Sequence, residues 1–123
     1  MEPVSLAVPT GIIDALPEGD DAAEDMHRAV TGYERRLNTA IGGEGDAASA
    51  VVDAIERFER RWEAYDEYVV ELRAWGQSPI YAMAWRDLHA SLIDQLYDHD
   101  RLGEVIDRER HARIVQDGIR FDP

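Results

Sequence analysis

The stretch DAASAVVDAIERFERRWEAYDEYVVELRAW, residues 46–75, decides the fold. Its apolar residues Ala48, Val51, Ile55, Phe58, Trp62, Tyr65, Val69 and Leu72 recur at alternating spacings of three and four. That period holds one stripe of an α-helix in register and gives a coiled-coil-like seam. Val52, Tyr68 and Trp75 flank the seam and widen it, which predicts contact with two neighbouring helices rather than one. Glu59, Glu63, Glu67 and Glu71 form an acidic row at i, i+4, a repulsive pattern relieved where salt screens it. Asp53 to Arg57 and Glu56 to Arg60 have the favourable spacing for ion pairs.

Punctuation on both sides extends the reading. Upstream, the linker Gly42-Gly43-Glu44-Gly45 is short and flexible, so the preceding helix should fold back antiparallel. That helix is predicted from Asp21, which with Glu24 has the spacing of a capping box, to Ile41, with Met26, Val30, Tyr33, Leu37 and Ile41 on one face. Downstream, Gly76 stops the long helix, and Ser78-Pro79 opens a third that runs to about Tyr97. Its inward residues are predicted as Tyr81, Ala84, Trp85, Leu88, Leu92 and Leu96, with Ile93 and Tyr97 at the edge. A shorter fourth helix is predicted between Leu102 and Gln116, stopped by Gly118.

Pro3, Pro9 and Pro17 exclude a long helix from the first twenty residues, yet Val4, Leu6, Val8, Ile12, Ile13 and Leu16 make them apolar. Such an arm should dock on its own bundle or on a neighbouring chain. The fold class is therefore all-α: an irregular four-helix bundle built on an antiparallel helical hairpin, with extended N- and C-terminal arms. The predicted division is an arm at 1–20, a helical bundle at 21–117 and a tail at 118–123.

Composition bounds the chemistry. The chain has 123 residues, enough for one core, and 26 acidic side chains against 13 basic ones, for a net charge of −13. All the basic residues are arginine. Self-repulsion at that charge weakens at molar salt, where the Debye length is about 3 Å, so the composition reads as adapted to high salt. Cysteine is absent, which excludes disulfides and thiolate chemistry. No apolar run reaches the ~20 residues of a membrane span, and none has the form of a signal peptide. The expected location is cytoplasmic or virion-associated.

The sharpest local motif is Asp98-His99-Asp100-Arg101-Leu102-Gly103-Glu104-Val105-Ile106-Asp107-Arg108-Glu109. It resembles a calcium-binding EF-hand loop: acids at the first and third positions, glycine at the sixth, and glutamate at the twelfth. It departs at the fifth position, where Leu102 replaces an oxygen ligand, and no second loop pairs with it. A turn capped by Asp100, with Val105 in the core, accounts for the same residues. Glu24 and His27 have the Glu-x-x-His spacing of di-iron bundles, but only one copy is present, and a solvated helix face explains it. His89, His99 and His111 are expected at the surface or its boundary. No nucleophile sits in a signature context, and with no lysine there is no phosphate-binding loop of the Walker type. No catalytic residue, cofactor or metal site is predicted.

Arg35-Arg36, Arg57, Arg60 and Arg61, and further on Arg108, Arg110 and Arg113, are interleaved with acids. Intramolecular ion pairing is the expectation, with no direct nucleic-acid binding, since counterion release fails at high salt. Trp62 belongs to the seam, whereas Trp75 and Trp85 could be core or interface anchors. The apolar arms and surplus aromatics point to protein partners, in a homo-oligomer or larger assembly. The reading from sequence is thus a non-catalytic structural or scaffolding protein, such as a virion or head-to-tail connector component of a halophilic archaeal virus. The alternatives are an acidic nucleic-acid mimic that inhibits a DNA- or RNA-binding enzyme, and a weak single EF-hand-like calcium module.

Overall fold

The computed structural model describes residues 4–17, 21–43 and 47–98, and its elements are α1 (Thr10–Asp14), α2 (Ala22–Ile41), α3 (Ala47–Ala74) and α4 (Ile80–Asp98). The protein is all-α; among the described residues there is no strand, and no helix is long and apolar enough to cross a membrane. The predicted helix at 102–116, the EF-hand-like loop beyond Asp98 and the tail at 118–123 lie outside the described residues.

Helix α2 turns at Gly42 and Gly43 and α3 returns antiparallel, so that Ala40 and Ala54, and Tyr33 and Arg61, line one cleft between them. Met26, Val30 and Leu37 are buried on the predicted face, with Tyr33 and Ile41 packed against the core. Asp21 occupies the N-cap position without a side-chain bond, contrary to the capping-box expectation. Glu24 is drawn to Arg28 instead, at 3.5 Å.

The more extensive helix pairing is between α3 and α4. A left-handed Gly76, φ 71°, makes the reversal possible. Gln77 N–H donates to Leu72 O at 2.9 Å and Gly76 N–H to Arg73 O at 3.1 Å, the paired bonds of a Schellman cap. Arg86 then bridges the two helices, 3.0 Å from Asp66 and 3.2 Å from its neighbour Asp87.

Helix α4, rather than the long α3, is the central element. Arg86, Asp87, Leu88, His89 and Ala90 are buried in succession, which requires cover on every side of the helix. Ile93 and Tyr97, expected at its edge, are buried too. Tyr81, expected inside, is exposed because it lies in the first turn, near the reversal. On α3, Val51, Ile55, Phe58 and Val69 are buried as predicted, while Trp62, Tyr65 and Leu72 are half-buried. Tyr68 and Trp75 do not widen the seam; they are exposed. Conversely Glu59, expected in a solvated row, is buried on the same helix.

The arm docks on its own bundle and is not wholly extended, since Pro9 starts the single turn of α1. Val4, Leu6 and Val8 alternate inward as in a β-strand. The same alternation sends the backbone groups of residues 4 and 6 toward α2 and those of residue 7 toward α4. Asn38 Nδ2 donates to Val4 O at 2.9 Å, and its Oδ1 accepts from Val4 N–H at 2.7 Å. Leu6 N–H donates to Glu34 at 2.8 Å, and Gln95 makes both bonds to Ala7, each 2.9 Å. Two side-chain amides and the Glu34 carboxylate thus replace the neighbouring strands that an extended segment lacks.

Candidate functional site

Two places in this framework gather chemically capable side chains: the interior between α2, α3 and α4, and the reversal between α3 and α4. The interior centres on His89, which is 0% exposed, contrary to the surface position expected from sequence. Tyr33 of α2, Phe58 and Tyr65 of α3 and Trp85 of α4 surround its ring, with centroids 5.7, 6.1, 5.6 and 6.4 Å away. Tyr65 also stacks on Trp85 at 6.0 Å. Such offset and tilted arrangements match the ring quadrupoles.

The tautomer follows from the partners. Nδ1 of His89 lies 2.7 Å from the carbonyl of Trp85, which only accepts, so Nδ1 carries the hydrogen. Nε2 is then a lone pair, and the Tyr33 hydroxyl, 3.2 Å away, donates to it. Burial, above all, pushes the His89 pKa down to about 4, and the nearby Arg61 guanidinium pushes the same way against the Trp85 bond. Burial likewise raises Tyr65, helped by Tyr33, and raises Asp87 despite the adjacent Arg86. His89 is therefore a neutral, enclosed hydrogen-bonding post at ordinary pH. The run from Leu88 to Ile93, free of acids and arginines and buried except at Ser91, was the sequence signal for an enclosed turn.

Outside this cage, a cleft between α2 and α3 is lined by Arg36, Arg57 and Arg61, with Asp53 and the small Ala40, Ala50 and Ala54. Arg61 lies over the Tyr33 ring, 4.8 Å from its centroid. The arginines were expected in internal ion pairs, yet among the described residues Arg36, Arg57 and Arg61 make no salt bridge, whereas Arg28 and Arg86 do. Helix geometry is the reason: Arg57 and Arg61 point into the cleft while Glu63, Glu67 and Glu71 face solvent elsewhere on α3.

The reversal carries the exposed aromatics. Trp75 is 80% and Tyr68 53% exposed, seven residues apart on one stripe of α3, and Ile80 and Tyr81 are exposed at the start of α4. The two helix ends meet there, with Arg73 within 3.7 Å of the Met83 sulfur. Ile80 also borders a mostly apolar groove of about 190 Å³ formed with Gly11, Ile12, Ala15, Met83 and Ala84, with Asp87 as its one charged lining residue among those described. Glu24 and His27 both lie exposed on α2, and among the described residues no cluster of three or more potential metal ligands occurs.

Fold and site together define an all-α bundle with an enclosed aromatic interior, an arginine-lined cleft and an apolar reversal. The chain belongs to a family of unknown function (DUF7971), which it matches over residues 1–123. No curated protein and no solved structure matches it.

Proposed function

We propose that this protein is a non-catalytic assembly component that pairs with a second copy of itself through the α3–α4 reversal and works at high salt. The observation that carries the reading is Trp75, four-fifths exposed beside Tyr68, Ile80 and Tyr81. Tryptophan and tyrosine dominate interface energetics, and a lone soluble domain has little reason to present them together at a helix end. Both sides of one hairpin supply the patch, so a twofold axis through it sets aromatic against aromatic, the self-complementary arrangement of most homodimers.

The N-terminal arm no longer supports assembly, because its apolar face is spent on its own bundle. The acids support the salt reading over nucleic-acid mimicry: Asp14, Glu24, Asp25, Asp53, Glu63, Glu67 and Glu71 are exposed on three different helices, not on one face. Two copies at −13 each repel one another until salt screens them, so association should strengthen with salt. A place in a virion or connector of a halophilic virus fits such a protein, as a more specific form of the same proposal.

Molecular mass by light scattering at 0.1 M and about 2 M KCl tests it, since the Debye length falls from about 10 Å to below 3 Å. The expected result is a shift from monomer toward dimer with salt, abolished in a Tyr68→Ser, Trp75→Ser double variant. A monomer at both salts, or a dimer indifferent to the double substitution, overturns the reading.

A further inference from the structure

The α2–α3 cleft inverts the charge balance of the molecule. Acids outnumber bases two to one over the whole chain, 26 to 13, yet among the described residues the cleft is lined by Arg36, Arg57 and Arg61 against Asp53 alone. Like charges gathered in one cleft repel, and among the described residues none of the three arginines is neutralised by a salt bridge. An arrangement of this kind is relieved by an anion from outside the chain.

The cleft is also organised for one. Arg61 is held over the Tyr33 ring at 4.8 Å, and Tyr33 is in turn fixed by its hydroxyl on the buried His89. Helix α3 places Arg57 one turn from Arg61, and Arg36 faces them from α2. Ala40, Ala50 and Ala54 leave the space open, while Leu37 and Phe58 give it an apolar floor that strengthens charge-assisted bonds. Its volume, about 90 Å³, is well below the roughly 300–1,000 Å³ of organic-ligand sites. A nucleotide does not fit within it; a single tetrahedral oxyanion does.

We infer that this cleft binds one phosphate-class oxyanion, held by Arg36, Arg57 and Arg61 between α2 and α3. Planar guanidinium forks match the oxygens of such an anion, and three cations beside one carboxylate suit its double charge. The anion ties α2 to α3 at the side of the bundle away from the α3–α4 reversal, so the inference stands apart from the assembly reading.

Calorimetric titration of the full chain with inorganic phosphate, at constant ionic strength set by KCl, tests it. One saturable site is expected, weakened at least about tenfold by Arg36→Gln and by Arg57→Gln, as loss of a charge-assisted bond implies. Both residues are exposed, and circular dichroism checks that each variant keeps its helices. Arg35→Gln, an exposed arginine outside the cleft, should bind as the parent does. Glycerol phosphate as a second titrant separates the sources: equal binding assigns the site to a phosphate ester, and its failure assigns it to the free ion. Absence of saturable binding by either titrant, or an equal loss in Arg35→Gln, overturns the inference.

Discussion

The Tyr33 hydroxyl lies 3.2 Å from Nε2 of His89 and joins α2 to the central helix by a polar bond inside an otherwise aromatic interior. That bond exists in this sense only while His89 is neutral. The relationship makes stability depend on pH in a direction that can be worked out.

The His89 pKa falls from 6.5 in the unfolded chain to about 4 in the fold, so between those values the unfolded state holds more protons. Its contribution is fully present above pH 6.5 and is lost as pH falls toward 4. The slope is about 1.4 kcal/mol per pH unit within the window, or roughly 3 kcal/mol in all. Urea denaturation from pH 4 to 7 should show this slope in the parent and a shallower one in His89→Gln. Parallel curves for the two proteins would remove His89 as its source.

The amide clamps on the arm should differ in strength. Asn38 holds Val4 in a partly buried setting, and its replacement by alanine leaves both backbone groups unpaired there, a loss of roughly 1–3 kcal/mol. Gln95 holds Ala7 where water can substitute, so Gln95→Ala should cost only about 0.5–1.5 kcal/mol. Amide exchange at residues 4–8, read by NMR, should accelerate more in Asn38→Ala. The reverse order would show that the α4 side carries the arm.

Gly76 has open space where a Cβ would stand, so its requirement is conformational alone. At φ 71° an alanine pays the left-handed penalty of about 1–2 kcal/mol. Gly76→Ala should lower the unfolding free energy measured by urea denaturation by that amount, while Gly32→Ala, in the middle of α2 with equally open space, should raise it slightly. A neutral Gly76→Ala would mean that the cap relaxes to another turn.

Helix positions were legible because they rest on local rules. Gly42-Gly43, Gly76 and Ser78-Pro79 bracket α2, α3 and α4, and the three-four spacing marked Val51, Ile55 and Phe58 as core. What periodicity does not carry is which helix the others surround. Spacing singled out α3 because its stripe is clean, whereas α4, buried all round from Arg86 to Ala90, has polar residues at core positions and blurs the pattern. His89 looked like a surface residue for that reason, and its partner Tyr33, like the partner Asp66 of the buried Arg86, comes from another helix. Tyr68 and Trp75 erred the other way, since they continue the stripe past the point where the bundle ends. The cleft was invisible because it needs the register of α2 against α3 to bring Arg36 to Arg57 and Arg61.

The arm has a further consequence for how the molecule is made. Its clamps come from residues 34 and 38 and from Gln95, which is 88 positions from Ala7. During synthesis the arm leaves the ribosome before α4 and therefore finds only half of its seat until nearly the whole of α4 has emerged. Closing so long a loop costs entropy that local helix formation does not, so seating the arm belongs to the end of folding. Val4, Leu6 and Val8 stay uncovered for that interval, and a nascent chain stalled before Gln95 carries an apolar strand that the finished protein hides.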